Sequence, residues 1–199
     1  MAEATMYHHG NLRTVLLDQA ESVGATTGFE RLSLRELARL AGVSHAAPRA
    51  HFASKDDLLD ALAQRGFERL HAELSSARTS GTDFDEEVHR VATAYVRFAI
   101  TNGALLELMF SAARQQPAAS LSVSESRAYS VFYEMLAEGQ QAGRIVAGTP
   151  DEVGLPFFAA IHGIAVLLAA GAVPSGDEET ITAHTVQVAL RGIRRTESP

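Results

Sequence analysis

Ser44, His45 and Arg49 fall within six residues of one another, just past Gly42. A hydroxyl, an imidazole and a guanidinium so spaced can hydrogen-bond base edges, and the guanidinium fork matches the two acceptors of guanine. A second set lies on apolar stretches further along: Tyr95, Phe98, Met109, Phe110, Phe132, Tyr133, Phe158 and His162, with Tyr129, Met135 and Phe157 between them. Rings and thioethers there line a cavity or fill a plain core. His162, between Ile161 and Gly163, has two readings: a core histidine satisfied by a carbonyl, or a polar contact to a ligand. Other chemistries lack their residues. With no Cys there is no thiol nucleophile, disulfide or thiolate metal site. No Gly-rich phosphate loop, nucleophile elbow or metal-binding His cluster occurs. The chain therefore reads as a non-enzyme, with no cofactor and no metal. His8-His9 reads as a solvent or phosphate contact. Asp83 to Glu87 and Asp177 to Glu179 read as acids matching helix N-termini.

These groups need elements to hold them, and the pattern is helical throughout. No stretch sustains the two-residue alternation of a strand. Leu12, Leu16, Ala20 and Val23 share one helix face, which Asn11 caps and Gly24 to Gly28 breaks. Ser33-Leu34-Arg35-Glu36 is a capping box opening a short helix with Leu34, Leu37, Ala38 and Ala41 as its buried stripe. Gly42 ends that helix, where positive φ is needed. Ser44 caps a third short helix reaching about His51, and Ser54 caps a long one from Lys55 to roughly Arg78. Two short helices joined by a glycine turn form a helix-turn-helix, whose second helix enters the major groove. Further helices are expected over about 84–101, 104–114, 120–142, 151–172 and 177–195, about nine in all, separated at 79–83, 102–103, 115–119, 143–150 and 173–176. The fold class is all-α: an N-terminal three-helix helix-turn-helix domain over 1–55 and a larger helical domain over 56–199.

Charge is uneven. Residues 1–55 hold six Lys/Arg against five Asp/Glu, a balance of +1, so the remainder carries −8 of the net −7. An acidic body with a neutral-to-basic head suits a protein that meets phosphate at one end. The polar N-terminus lacks the apolar stretch of a signal peptide. The longest apolar run, Ile161 to Val173, is shorter than the roughly 20 residues of a membrane span. A soluble, cytoplasmic protein with no membrane partner is expected.

The segment LSLRELARLAGVS followed by His51-Phe52, Ser54-Lys55 and Leu58-Leu59 resembles the TetR family of bacterial regulators. The stretches YHHGNLR, SHAAP and NGALLELMF resemble a branch with a Trp-His-Gly signature, of which Ile161-His162-Gly163 is similar to a variant. The resemblance implies that His51-Phe52 ends the recognition helix with Phe52 as its anchor. It implies that Lys55, Ser33 and Arg35 contact phosphate, and that the C-terminal domain holds a small, largely apolar effector. It also implies that the last two helices of each subunit form a four-helix homodimer interface. Dimerisation follows from use as well, since one helix-turn-helix reads only a few base pairs and a two-fold dimer reads two half-sites. Arg49 stands where the family usually has Tyr, and Ala50 where the branch usually has a basic residue. The expected DNA-binding set is Ser33, Arg35, Ser44, His45, Arg49, His51 and Lys55. The expected function is a ligand-released repressor on a palindromic double-stranded DNA operator. The alternative is a helical ligand-binding or scaffold protein with a degenerate head.

Overall fold

In the computed structural model, which describes residues 12–78, 83–114, 119–173 and 178–195, no strand occurs among the described residues. Eight α-helices do: α1 (Leu12–Thr27), α2 (Leu34–Leu40), α3 (Lys55–Ala77), α4 (Phe84–Thr101), α5 (Gly103–Arg114), α6 (Ala119–Gln141), α7 (Leu155–Ala169) and α8 (Glu178–Ile193). Short 3-10 turns occupy Phe29–Arg31 and Ala47–Ala50, and a π-helical turn occupies Pro150–Gly154. Asn11, His8-His9 and most of the expected linkers near 79–83, 115–119 and 173–176 lie outside the described residues.

The ninth expected helix is the 3-10 turn Ala47–Ala50. Pro48 explains it. In an α-helix the N–H of residue 48 would bond the Ser44 carbonyl, and proline has none. The Ser44 carbonyl is instead taken by Ala47 N–H at 3.0 Å, and Ala46 rather than Ser44 stands at the start of the turn. The first helix also differs from expectation, because it continues through Gly24 and stops only before Gly28, at φ 85°. Phe29 gives the reason for Gly24: a Cβ there would lie 2.2 Å from the Phe29 ring.

Packing divides the chain into two compact units, Met1–Gly66 with Ala104–Leu121, and Phe67–Gly103 with Ser122–Pro199. In the first unit α1 packs on α2 and on both 3-10 turns. Leu16, Leu37, Ala38, Phe52, Leu58 and Leu62 are its buried centre. In the second unit α4 packs against α7 and α8, and α7 against α8. Phe157, Ile161 and Ala165 are buried at four-residue spacing along α7. The other side of α7 leaves Leu155, Val166 and Leu167 exposed, and Val188 is exposed on α8. The stretch Pro150–Ala169 has a mean hydropathy of 1.8 and the length of a membrane span, by composition alone. Thr149 and Glu152 close a capping box at its start, with Glu152 accepting from Thr149 N–H at 2.9 Å. At its end Gly171, at φ 64°, turns the chain so that Ala172 N–H reaches the Leu167 carbonyl at 2.9 Å, which stops the helix short of Ala172.

Candidate functional sites

The head begins at Ser33, whose hydroxyl accepts from Glu36 N–H at 3.2 Å and starts α2. The return half of the expected capping box is missing. The Glu36 carboxylate grips Arg39 instead, at 2.6 and 3.0 Å, and the Arg39 hydrogen bond holds it below the usual carboxylate range. A fixed, bidentate guanidinium one turn ahead competes better than a backbone N–H. Gly42, at φ 66°, ends α2: Val43 N–H reaches the Ala38 carbonyl at 3.0 Å and Gly42 N–H the Arg39 carbonyl at 3.3 Å. Only a residue without Cβ adopts that turn cheaply. The Ala47–Ala50 turn follows, with Pro48 buried inward. Phe52 N–H bonds the Pro48 carbonyl at 2.9 Å, and the buried Phe52 ring lies 5.3 Å beneath the Arg13 guanidinium. Ser54 and Asp57 then close a reciprocal capping box, at 2.9 and 3.0 Å, and α3 begins.

This framework leaves Ser33, Arg35, Ser44, His45, Arg49 and His51 exposed. The side chains of Arg35, His45, Arg49 and His51 make no hydrogen bond or ion pair to another described residue. Lys55 differs: its ammonium donates to the Glu30 carbonyl and the residue is half-buried. Arg13 was missed by sequence reasoning. Its position as the second residue of α1 gave no sign that it would reach Phe52.

In the second unit four of the expected ligand-binding residues come together. Tyr95 (α4) is buried, and its hydroxyl lies 2.7 Å from Nδ1 of His162 (α7). The Phe158 ring stacks on His162, with centroids 5.6 Å apart and planes 16° apart. Phe132 (α6) meets Tyr95 edge-on at 5.9 Å and Phe158 at 5.8 Å. Two more rings complete the nest: Tyr129, named beside that set as a cavity or core residue, lies 5.3 Å from Phe158, and Phe67 (α3), which the sequence did not single out, lies 6.3 Å from Tyr129. One turn beyond Phe67, His71 keeps a buried Nδ1 with no hydrogen-bond partner among the described residues. Burial pushes the Tyr95 and Tyr129 phenols up and the His162 imidazole down, so all three are neutral near pH 7.

The other expected ligand residues lie elsewhere. Phe98 sits beneath the Arg69 guanidinium at 5.6 Å. Met109 belongs to the first unit, where it faces Gly66, and a Cβ on Gly66 would come within 2.6 Å of its sulfur. Phe110 is half-buried in the same unit. Tyr133 is exposed, with its ring edge against Gly154. A groove of about 500 Å³ opens between the start of α4 and α8, lined by Asp85, His89, His184, Gln187 and Arg191 among others. None of its lining residues is in the expected set.

Residues 16–62 match the bacterial regulatory proteins of the tetR family, and residues 88–189 match the tetracyclin repressor-like C-terminal domain. The chain belongs to the TetR family. A Rhodococcus sp. RHA1 protein of unknown function is 37% identical, with a TM-score of 0.87 over 96% of this chain and 100% of its own. A tetR-family regulatory protein from Rhodococcus RHA1 shares the fold at 21% identity and TM-score 0.73, over 94% of this chain and 98% of its own. A TetR-family regulator from Marinobacter aquaeolei VT8 does so at 18% identity and TM-score 0.75, over 94% and 97%. No curated protein matches. This TetR-family chain is a DNA-binding transcriptional regulator with an N-terminal helix-turn-helix domain, and the match over residues 16–62 contains the Ser33 to Phe52 segment described above.

Proposed function

We propose that this TetR-family regulator is a homodimeric repressor that leaves a near-palindromic operator when a small, largely apolar effector enters the ring nest. The observation that carries the DNA half is the set of exposed side-chain donors on Arg35, His45, Arg49 and His51, without a partner among the described residues and held on short elements around the Gly42 turn. Arg49 is the base reader in this reading, with Ser44 and His45 beside it. Ser33, Arg35, His51 and Lys55 meet the backbone, Lys55 by exchanging the Glu30 carbonyl for a phosphate. The functional division runs 1–55 for DNA and 56–199 for effector and dimerisation.

The nest supports the effector half. Its polar pair, Tyr95 and His162, is what a bound molecule would engage, while the rings supply apolar area. α3 is one continuous helix that begins at Lys55 and carries Phe67 and His71. A ligand that displaces Phe67 would move that helix, biasing the dimer toward a state that no longer fits two half-sites. Such coupling is typically about 1–3 kcal/mol. The exposed apolar side of α7, with Val188 of α8, supports dimerisation: it needs cover, and a second copy supplies it with two-fold symmetry. Gly163 and Gly192 have open space where a Cβ would stand, so two backbones can approach there.

The test is selection of sites from random double-stranded DNA by the purified protein, followed by titration at several salt concentrations. A palindromic site whose affinity falls steeply with salt is the expected result. Gly42→Pro forces φ to about −65° where +66° is required, and is expected to keep the dimer and lose the site. Retained operator binding by Gly42→Pro would remove the helix-turn-helix from the mechanism. No enrichment by the wild type would favour a degenerate head.

A further inference from the structure

Glu125 lies one turn before Tyr129 on α6 and is half-buried. Its carboxylate makes no hydrogen bond or ion pair to another described residue, yet it is near enough to push the Tyr129 phenol upward. Burial also raises its own pKa. Other partly buried acids in the unit are handled differently: Glu87 is held by Arg78 at 2.7 Å. A half-buried carboxylate without a counter-charge is destabilising, and a cation from outside would relieve it.

The surroundings of Glu125 favour the same sign. The Tyr129 ring leads directly into the nest, through Phe158 at 5.3 Å and Phe67 at 6.3 Å. Aromatic faces carry a negative quadrupole and attract cations. The nest's own titratable groups, Tyr95, Tyr129 and His162, are neutral and bring no competing positive charge. Arg69, on the same helix as Phe67, is engaged over Phe98 and donates to Asn102 Oδ1 at 2.9 Å. An anionic group placed beside Glu125 would meet repulsion.

We propose that the nest selects an organic cation, with a flat apolar body among the rings and an ammonium group between the Tyr129 ring and the Glu125 carboxylate. This rests on the reading of the nest as the effector site, and it adds the charge of the effector to that reading.

Three probes of one shape test it: 2-naphthylmethylammonium, 2-naphthalenemethanol and 2-naphthoate. The chain has no Trp, so naphthalene emission can be followed on the whole protein. The ammonium is expected to bind at least about tenfold more tightly than the alcohol, and the carboxylate most weakly. Glu125→Gln should bring the ammonium down to the affinity of the alcohol and leave the alcohol unchanged. Tyr129→Leu should weaken both. Equal binding of ammonium and alcohol, or a preference that survives Glu125→Gln, would overturn the cation inference while the nest stands as the pocket. Binding of the probes untouched by Tyr129→Leu, or no binding by any of them, would remove the nest as the site and the inference with it.

Discussion

Tyr95→Phe removes one oxygen from the middle of the second unit, and its cost can be worked from the structure. Tyr95 has 0% of its surface exposed, and its hydroxyl sits 2.7 Å from His162 Nδ1. The ring keeps its edge contacts with Phe132 and Phe158, because phenylalanine has the same ring. What is lost is one part-buried hydrogen bond between the buried hydroxyl and half-buried His162, offset in part by no longer burying a hydroxyl. That sets the destabilisation at about 1–2 kcal/mol, near the lower end for a buried donor–acceptor pair broken from one side. For a chain of this length it corresponds to a fall in Tm of roughly 2–8 °C. The assay is urea unfolding followed by far-UV circular dichroism, at one fixed protein concentration because a dimer's stability depends on it. A double-mutant cycle with His162→Leu isolates the pair. His162→Leu should cost less when Tyr95→Phe is already present, with a coupling of about 1 kcal/mol. Additive effects within about 0.3 kcal/mol would mean that the pair contributes nothing and that the hydroxyl serves another partner.

Three further outcomes follow from the same structure. His162 is held below its ordinary value of 6.5 by burial, so the unfolded chain binds a proton that the folded one refuses as pH falls below that value. Stability should therefore drop from about pH 7 toward the folded pKa, and His162→Leu should flatten that part of the profile; a slope unchanged in the variant would assign it to another group. Gly24→Ala would place a Cβ 2.2–2.6 Å from the ring of buried Phe29. Despite alanine's better helix propensity the head should lose about 1–3 kcal/mol, read as a lower Tm, and an unchanged or raised Tm would contradict the close packing. Arg78 holds Glu87 at 2.7 Å and Glu138 at 2.6 Å, with Glu134 at 3.6 Å, and Glu87 is only 14% exposed. Arg78→Met should cost about 2–3 kcal/mol in urea unfolding, mostly through the stranded Glu87, and adding Glu87→Gln should recover part of it.

Several helix ends and turns were legible because each rests on a few adjacent residues, though Gly24 did not break α1 and Ser44 did not cap the Ala47–Ala50 turn. Ser54, Asp83 and Gly42 work as their types suggest, through a hydroxyl, a carboxylate and a missing Cβ. Where a residue had two partners in reach, the pattern could not choose between them. Glu36 had both the Ser33 backbone and Arg39 and turned to Arg39. Lys55 had open solvent and the Glu30 carbonyl and took the carbonyl. The ring nest shows the same limit at longer range. Tyr95, Phe132, Phe158 and His162 were readable as rings on apolar helices, and so were Phe98 and Tyr133. Only packing separates the set that meets from Phe98 beneath Arg69 and Tyr133 at the surface.

α7 carries that limit furthest. Phe157, Ile161 and Ala165 are buried, while Leu155, Val166 and Leu167 on the same helix are exposed, and the two groups are alike in composition. A helix apolar all round has no amphipathic moment to announce which side faces its own core. The inward side is chosen by α4 and α8, which pack against it. The outward side is exposed, with no described residue covering Leu155, Val166 or Leu167. An excess of apolar residues over what the described chain buries is the feature on which the proposed dimer interface rests. The same composition also gives Pro150–Ala169 the hydropathy of a membrane span. The buried row and the capping box at Thr149 tie this helix into the protein on one side, and the small residues Ala159, Gly163 and Ala170 suit close approach of another helix on the other.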